Sequence, residues 1–462
     1  MEQVPVQGKY QPYPEYKDSR VEWLGDIPSN WSVYSLKRSV TGCTNGIWGD
    51  EPNGENDLIV LRVADFDRNK LRISDGKLTY RSISEKESRS RLLAKGDLLI
   101  EKSGGGDKTL VGCVVLFDKN FAAVTSNFVA KMSAHDGYHS GFLNYAFSHL
   151  YNGRINYPSI KQTTGIQNLD SESYLMERFC FPSYTEQRTI AAFLDYETAR
   201  IDKLIAKQQR LIELLKEKRQ AVISHAVTKG LNPDAPMKDS GVEWLGTVPE
   251  HWVVSRIKNF AKIESGHTPS RQIAEYWVDC NIPWVSLNDS KTLKVVDYID
   301  DTVYKISDLG MANSSAHLLP GRAVVFTRDA SIGLSAITTK PMAVSQHLIA
   351  WICNENKVLP EYLLLAFYAM ESEFERYTFG ATIKTIGMDD VRSLTAAFPS
   401  VKEQNEIIDW AFGKLMVLKN ALQRTEHTIE LLQERRIALI SAAVTGKIDL
   451  RGWTAPTQEA AA

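Results

Sequence analysis

The sequence predicts an α+β protein in which two mixed α/β blocks are separated by two long antiparallel coiled-coil helices, with a pseudo-two-fold internal repeat. One phrase is written twice: residues 18–31 read DSRVEWLGDIPSNW and residues 239–252 read DSGVEWLGTVPEHW, an offset of 221. A second phrase also recurs: residues 212–230 and 429–447 both begin with IELL, and they match at an offset of 217. Offsets of this length exceed any solenoid period and indicate duplication of a domain-sized unit.

The two offsets differ by four residues, so insertions and deletions must lie between the shared phrases, in residues 32–180 and 253–397. A variable block therefore precedes a shared helix in each copy. The predicted domains are block 1 at 1–183, helix 1 at 184–230, block 2 at 231–400, helix 2 at 401–447 and a tail at 448–462.

Residues 185–228 and 402–445 are rich in Leu, Ala, Glu, Lys and Arg, contain no proline, and follow Pro182 and Pro399, which predicts two helices. A seven-residue frame of apolar side chains recurs in both. Its members are Ala191, Leu194, Ile201, Ile205, Ile212, Leu215 and Val222 in the first helix and Ile408, Ala411, Leu415, Leu418, Leu422, Ile429, Leu432 and Leu439 in the second.

Polar residues interrupt this frame at matching places, Gln208 with Thr425 and Arg219 with Arg436. Matched interruptions fix the register of a coiled coil and favour pairing of the helices with each other. The alternative is that each helix packs on its own block. At 1.5 Å per residue, such helices would form rods of roughly 65 Å, suited to act as spacers.

Both blocks show strand patterns followed by a short helix. In block 1 the predicted strands are 58–66, 96–104 and 111–117 and the helix is 142–151. In block 2 the predicted strands are 282–289, 321–329 and 333–339 and the helix is 361–371. A common scaffold with divergent loops is expected where loops recognise different targets.

The chain has 462 residues, a formal net charge of −2 and five scattered cysteines without a C-x-x-C pair. This usage argues against a disulfide framework or a zinc ribbon and predicts a reducing, cytoplasmic location. The sequence shows no signal peptide or membrane span. Because the net charge is near zero, binding to nucleic acid would have to depend on local patches.

Together these phrases resemble a known family. The openings EWLGDIPSNW and EWLGTVPEHW, residues 265–289 with SGHTPSRQ and NIPWVSLND, and FPS followed by EQ at 181–187 and 398–404 are similar to the specificity subunits of type I restriction-modification systems. The resemblance covers essentially the whole chain. It implies two target recognition domains held apart by antiparallel helices, each reading one half of a split, asymmetric DNA sequence, in a subunit without catalysis of its own.

The resemblance also implies the partners: double-stranded DNA, two modification (methyltransferase) subunits that methylate adenine N6, and two restriction (translocase/nuclease) subunits. It places S-adenosylmethionine in the methyltransferase partner and ATP and Mg in the restriction partner, with no cofactor in this chain. Two rival interpretations are a stand-alone DNA-binding regulator and a helical scaffold without a nucleic-acid role.

Four segments partly match a catalytic, phosphate-binding or metal-binding motif, and none carries the complete motif. Residues 232–235 (NPDA) lack the second proline and the aromatic residue of an adenine methyltransferase motif. In residues 103–109 (SGGGDKT) an aspartate interrupts the P-loop pattern, and residues 96–102 (GDLLIEK) have the wrong spacing for a nuclease. His135 and His139 lack a partner at metal-ligand spacing and are expected in a solvated loop.

The candidate DNA-binding residues are polar donors in loops punctuated by glycine, because Arg and Lys read guanine, Asn and Gln read adenine, and Ser and Thr bind phosphate. The candidates are Lys102, Ser103, Lys108, Asn127, Lys161, Gln162 and Thr163 in block 1 and His267, Ser270, Arg271, Arg328, Gln346, His347 and Lys384 in block 2. For each one, the alternative is an ordinary exposed loop side chain.

Two further sets of repeated residues are predicted to be structural. Residues 165–170 and 385–390 precede the last strand of each block. The repeated tryptophans are expected to anchor each block to a helix through their large buried rings. They are Trp23, Trp31, Trp244 and Trp252.

Overall fold

A computed structural model describes residues 10–74, 76–104, 109–163, 165–379 and 385–456. It divides into two compact units. The first takes its residues from Met1–Gln208 and His427–Ala462, and the second from Gln209–Glu426. Each long helix therefore contributes one part to each unit.

Among its described residues, the first unit contains sixteen short strands and the start of a long helix. The strands are β1 Tyr16–Asp18, β2 Asp26–Pro28, β3 Ser32–Ser35, β4 Thr44–Asn45, β5 Asp57–Leu61, β6 Phe66–Asp67, β7 Arg72–Ile73, β8 Thr79–Ser82, β9 Leu98–Glu101, β10 Ser103–Gly104, β11 Val114–Leu116, β12 Ala123–Thr125, β13 Val129–Met132, β14 Ile160–Thr163, β15 Ile166–Leu169 and β16 Arg178–Phe181. The helices are α1 Glu85–Ser88, α2 Ser140–Asn152, α3 Ser171–Leu175 and α4 Tyr184–Lys229.

The second unit repeats this pattern. Its strands are β17 Met237–Asp239, β18 Thr247–Pro249, β19 Val253–Arg256, β20 Ala261–Ser265, β21 Ile282–Val285, β22 Tyr298–Ile299, β23 Tyr304–Ile306, β24 Val324–Thr327, β25 Ser335–Thr338, β26 Ala343–Val344, β27 Leu348–Cys353, β28 Thr378–Phe379, β29 Thr385–Ile386 and β30 Thr395–Phe398. Its helices are α5 Ser290–Leu293, α6 Asp308–Ala312, α7 Pro360–Ala369, α8 Glu371–Phe374, α9 Met388–Ser393 and α10 Val401–Val444.

The sheets of the two units have the same connectivity. The larger sheet runs β4-β13-β9-β11-β7-β6 in the first unit and β20-β27-β24-β25-β22 in the second. The fourth and fifth strands of each order pair in parallel, β11 with β7 in the first unit and β25 with β22 in the second. The smaller sheet runs β12-β5-β8 and β26-β21-β23, with one parallel and one antiparallel pair in each. The two blocks therefore share a fold although they share few residues.

Two strand predictions were too long for the same physical reason. The predicted strand 58–66 ends at Leu61, and the predicted strand 282–289 ends at Val285. The residue that follows each strand, Arg62 or Ser286, donates its backbone N–H to the aspartate three residues further on, Asp65 or Asp289. This hydrogen bond starts a 3₁₀ turn and ends the strand. The predicted helices 142–151 and 361–371 are found as α2 and α7.

The long-helix predictions are confirmed within one residue at each end by α4 and α10. In the first unit, Leu194 of α4 lies in one apolar core with Leu439 and Ala443 of α10. Opposite charges also meet there, because Arg436 Nε lies 3.6 Å from Asp202 Oδ1. The early turns of α4 thus pack with the late turns of α10.

In the second unit, the late turns of α4 and the early turns of α10 share a core that includes Ile223, Val227, Ala411 and Leu415. The helices also contact the blocks. In the first unit, the Tyr145 hydroxyl donates to Asp195 of α4 at 2.8 Å. Within each unit, therefore, segments of the two helices share an apolar core with the block.

Candidate nucleic-acid interface

A β-turn connects β12 and β13 in the first block. The Val129 N–H donates to the Ser126 carbonyl at 3.0 Å and closes the turn, so Asn127 and Phe128 form its tip. The Asn127 side chain is exposed and Phe128 is 56% exposed. The tip of the turn therefore presents an amide and an apolar ring to solvent.

Backbone hydrogen bonds hold this turn from two sides. The Ser126 N–H donates to the Leu61 carbonyl at 2.9 Å, and the Lys102 N–H donates to the Phe128 carbonyl at 2.8 Å. The Lys102 carbonyl in turn accepts from the Leu169 N–H at 2.8 Å. The turn is therefore fixed to β5 and to the segment between β9 and β10.

Gly46 packs against the base of the turn. A Cβ at this position would lie 2.1 Å from the Thr125 carbonyl oxygen and 2.2 Å from that of Ser126. No side chain fits at such distances, so the approach requires glycine. The next residue, Ile47, donates its N–H to the Thr125 carbonyl at 2.7 Å.

The second block contains the same turn between β26 and β27. The Leu348 N–H donates to the Ser345 carbonyl at 3.0 Å, which places Gln346 and His347 at the tip. The Ser345 N–H donates to Val285, the last residue of β21, at 2.9 Å. The side chain of Gln346 is exposed and that of His347 is partly exposed.

The supports of the second turn are also the same. The Arg328 N–H donates to the His347 carbonyl at 3.0 Å, and the Arg328 carbonyl accepts from the Ile386 N–H at 2.9 Å. A Cβ on Gly266 would lie 2.2 Å from the carbonyl oxygens of both Val344 and Ser345. Each element of the first turn therefore has a counterpart in the second.

We call Lys102, Asn127 and Phe128 the first triad, and Arg328, Gln346 and His347 the second triad. Each triad brings a cationic side chain, an amide and a ring to one framework. Five of these six residues were predicted as candidates, and the structure brings them together in two groups of the same design. Phe128 was missed because an exposed apolar residue carries no polar signal in the sequence.

The surroundings of the two triads differ. In the first, Lys102 Nζ donates to Asn45 Oδ1 at 2.8 Å. In the second, His347 Nδ1 lies 2.7 Å from Asp329 Oδ2, and Thr385 Oγ1 donates to the other Asp329 oxygen. Arg328 Nε lies 3.8 Å from Asp329 Oδ1. The second triad is thus organised around a carboxylate, and the first around an amide.

Other predicted residues of block 1 lie near the first triad or along the neighbouring hairpin. Ser103 Oγ donates to Asn168 Oδ1 at 2.6 Å, and Lys161 Nζ donates to Asp170 Oδ2 at 2.9 Å. Gln162 is exposed on β14. Lys108 and the side chain of Thr163 lie outside the part of the chain that the structure describes.

In block 2, His267 follows Gly266 and is partly buried, with an N–H that donates to the Val344 carbonyl at 3.1 Å. Ser270 and Arg271 are exposed in the loop before β21. Lys384 lies outside the described residues. The segments 165–170 and 385–390, predicted to be purely structural, also supply the partners Leu169 and Ile386 that position the triad cations.

The two carboxylates of the GDLLIEK segment, residues 96–102, lie in separate environments. Glu101 is fully buried and its Oε2 accepts from Arg68 Nη2 at 2.7 Å, while burial raises the pKa of the Glu101 carboxyl. Asp97 Oδ1 accepts from the Ser133 hydroxyl at 2.5 Å. These carboxylates serve the packing of the block.

His139 is the N-cap of α2, where its Nδ1 accepts from the Phe142 N–H at 3.4 Å. Burial is the main cause that lowers the pKa of His139. Across residues 10–74, 76–104, 109–163, 165–379 and 385–456, no group of three His, Cys, Asp or Glu side chains is arranged to hold a metal ion.

Two of the four repeated tryptophans anchor a block to a long helix, as predicted. Trp31 is fully buried and donates from Nε1 to Glu186 Oε1 in α4 at 3.1 Å. Trp252 makes the matching bond with Glu403 of α10 at 3.0 Å. The other two tryptophans contact the last strand of their block and not a long helix. Trp23 stacks on Phe179 of β16, and Trp244 donates from Nε1 to the Thr395 carbonyl of β30 at 3.2 Å.

The structure thus contains two blocks of one fold that carry equivalent turns of different sequence. Residues 249–416 match the family model of the type I restriction modification DNA specificity domain. Over these residues the chain is similar to the specificity subunits of type I restriction-modification systems. This confirms the resemblance found in the sequence.

Relatives in this family extend over most of the chain. The EcoKI specificity subunit of Escherichia coli K12 is 23% identical over 406 residues, 83% of this chain and 82% of that protein. The StySPI specificity subunit of Salmonella potsdam is 22% identical over 405 residues, 83% and 82% of the two chains. The MjaIX specificity subunit of Methanocaldococcus jannaschii is 27% identical over 165 residues, which cover 35% of this chain and only 38% of that protein.

Two solved structures have the same fold. One, from work on complex assembly and conformational transition of the type I R-M system, has a TM-score of 0.70 at 14% identity and covers 90% of this chain and 98% of that one. The other is the HsdS subunit of Thermoanaerobacter tengcongensis, with a TM-score of 0.53 at 14% identity, 91% of this chain and 98% of that one. In the described residues of this chain, no helix has the length and apolar character needed to cross a bilayer.

Proposed function

We propose that this chain recognises an asymmetric, bipartite DNA sequence and docks two adenine-N6 methyltransferase subunits, and with them restriction subunits, onto that sequence. The observation that carries the proposal is the pair of triads. One backbone framework is built twice, and it presents different side chains each time. A framework that is kept while its exposed residues change is expected for two readers of different base sequences.

Because the two triads differ, the two half-sites are expected to differ as well. Phe128 in the first triad is apolar, whereas His347 in the second is held by a carboxylate. Apolar groups favour the thymine methyl and polar groups favour hydrogen-bonding base edges. The complete target should therefore not be a palindrome.

The long helices are proposed to form an antiparallel coiled coil that holds the two blocks apart. Support comes from each unit separately, since the early turns of one helix pack with the late turns of the other in both cores. Two readers on one face of a duplex must be about 34 Å apart, one helical turn. Helices of 46 and 44 residues are long enough to set such a spacing.

The repeated helix segment offers a surface for the methyltransferase subunits. Leu214 and Leu431 occupy the same position of the repeated phrase, and they are 45% and 50% exposed. Large apolar side chains exposed at equivalent positions are expected where two copies of one partner bind. We propose that the partners supply all chemistry: S-adenosylmethionine is bound by the methyltransferase, and ATP and Mg by the restriction subunits.

Exchange of the segment 32–183 for the matching segment of another specificity subunit tests this function. The chimera and the parent are each co-expressed with the methyltransferase, and N6-methyladenine is mapped across the host genome. Only one half of the methylated motif should change. As the matched control, exchange of 253–397 should change the other half.

The outcomes separate the alternatives. Chimeras that leave the motif unchanged would support a scaffold without a role in recognition. A chain that binds a specific DNA sequence but does not co-purify with a methyltransferase would support a stand-alone regulator.

A further inference from the structure

We propose that the two triads are the base-reading elements of the two blocks, with Asn127 reading an adenine in one half-site and Gln346 reading an adenine in the other. Lys102 and Arg328 supply the positive charge beside each amide, toward the DNA backbone. This inference rests on the proposed function and names the residues that carry out its recognition step.

The first argument is that both blocks carry an amide and a cation at equivalent places, although these residues do not belong to the repeated phrases of the sequence. Asn127 and Gln346 are 219 residues apart, and Lys102 and Arg328 are 226 apart, unlike the shared phrases at 217 and 221. Separate insertions have therefore shifted the triad members along the chain. The backbone contacts nevertheless bring an amide and a cation to equivalent places in both blocks.

The second argument is rigidity. Each amide lies at the second position of a β-turn that is closed by its own hydrogen bond and tied to two neighbouring segments. Gly46 and Gly266 seal the base of each turn by an approach that no other residue allows. A side chain on a fixed, exposed turn loses less conformational entropy on binding than one on a mobile loop, which favours specific recognition.

The third argument is the chemistry of the amide. Asn and Gln carry one donor and one acceptor that match N7 and N6 of adenine in the major groove. The nearby cation neutralises phosphate and increases affinity without adding sequence information. The aromatic position then reads the adjacent base: Phe128 suits a thymine methyl, whereas His347 suits a hydrogen-bonding edge.

The test uses the full chain co-expressed with its methyltransferase and mapping of N6-methyladenine. Asn127→Ala should relax one position of one half-site, and Gln346→Ala one position of the other. Each relaxation should be roughly ten- to a hundredfold in preference for adenine, the effect of a lost bidentate contact. Asn69→Ala and Asn356→Ala, which change exposed amides elsewhere in the two blocks, are the matched controls and should leave both half-sites unchanged.

Lys102→Met should behave differently from the amide variants. It removes charge without removing base readout, so methylation should fall at all sites while the motif remains the same. Melting temperature and co-purification with the methyltransferase show that each variant is folded. If Asn127→Ala is unfolded, Asn127→Asp, which keeps the shape but removes the donors, takes its place.

The outcomes distinguish this inference from the function on which it rests. A split motif in the parent that is unchanged in both folded amide variants would overturn the inference alone. A parent complex that produces no split motif would overturn the proposed function and the inference with it. Relaxation of the same half-site by both variants would also contradict the assignment of one triad to each half.

Discussion

The indole Nε1 of Trp252 donates a hydrogen bond to Oε1 of Glu403 at 3.0 Å. This bond joins the phrase that opens the second block to the first turn of α10. In the first unit, Trp31 and Glu186 make the matching bond. The repeated phrase therefore recurs because each copy ties the start of a block to the start of the helix that follows it.

Trp252→Phe is predicted to destabilise the second unit. The indole is almost fully buried, and its loss leaves the Glu403 oxygen without this donor. A buried group deprived of a hydrogen bond costs about 1–3 kcal/mol. Urea unfolding should show that decrease, while Trp410→Phe, at a partly buried position on α10, should have a smaller effect. Unchanged stability with an altered methylation motif would instead place Trp252 in DNA recognition.

Gly266→Ala is predicted to disrupt the second turn. The new Cβ would lie 2.2 Å from two carbonyl oxygens, so the backbone must move. Overpacking of this kind costs about 1–3 kcal/mol. Gly413→Ala is the control, because nothing lies within 4 Å of its Cβ position in α10, and there the same change should stabilise the helix by up to about 1 kcal/mol. Equal effects of the two substitutions on urea unfolding would contradict the role given to Gly266.

His149 is predicted to make the first unit sensitive to acid. It packs against Trp23 and Phe179, and burial lowers its pKa to about 4. Below about pH 6.5 the unfolded chain takes up a proton that the folded chain does not, so stability falls as the pH decreases from about 6.5 to 4.

The loss at the acid end should be about 2–3 kcal/mol. His149→Gln should remove this part of the acid dependence in melting curves recorded from pH 7 to 4. His427→Gln, at an exposed position of α10, serves as the control and should follow the parent curve. An unchanged acid dependence in His149→Gln would contradict the prediction.

Arg436 and Asp202 are predicted to be coupled. Their side chains are 11% and 27% exposed, and burial raises the pKa of Asp202. Arg436→Met should destabilise by about 2–4 kcal/mol because it leaves a poorly solvated carboxylate, and the further change Asp202→Leu should recover most of that loss. Arg210→Met removes an exposed pair with Glu213, which solvent screens, and should have a much smaller effect than Arg436→Met. Additive effects of the two changes at Arg436 and Asp202 would show that the residues are independent.

The long helices could be predicted almost to the residue, since heptad periodicity, helix-forming residues and the preceding prolines all indicate the same boundaries. The strand ends could not. The apolar pattern continues past Leu61 and Val285, but the carboxylates of Asp65 and Asp289 capture backbone N–H groups and stop each strand. A hydrogen bond from a single side chain overrides the pattern in both blocks.

The candidate site could be predicted as a set of residue types but not as a geometry. Lys102, Asn127, Arg328 and Gln346 carry the expected donors, yet different insertions separate them in the two blocks. Only the backbone contacts show which residues are equivalent. Phe128 had no signal in the sequence because its importance comes from exposure, which depends on the turn.

The measurement that tests the central claim most directly is a map of N6-methyladenine in cells that co-express this chain with its methyltransferase. The account predicts a split, asymmetric motif with one methylated adenine on each strand, present only when the chain is expressed. No co-purification with the methyltransferase and no new methylation would contradict it.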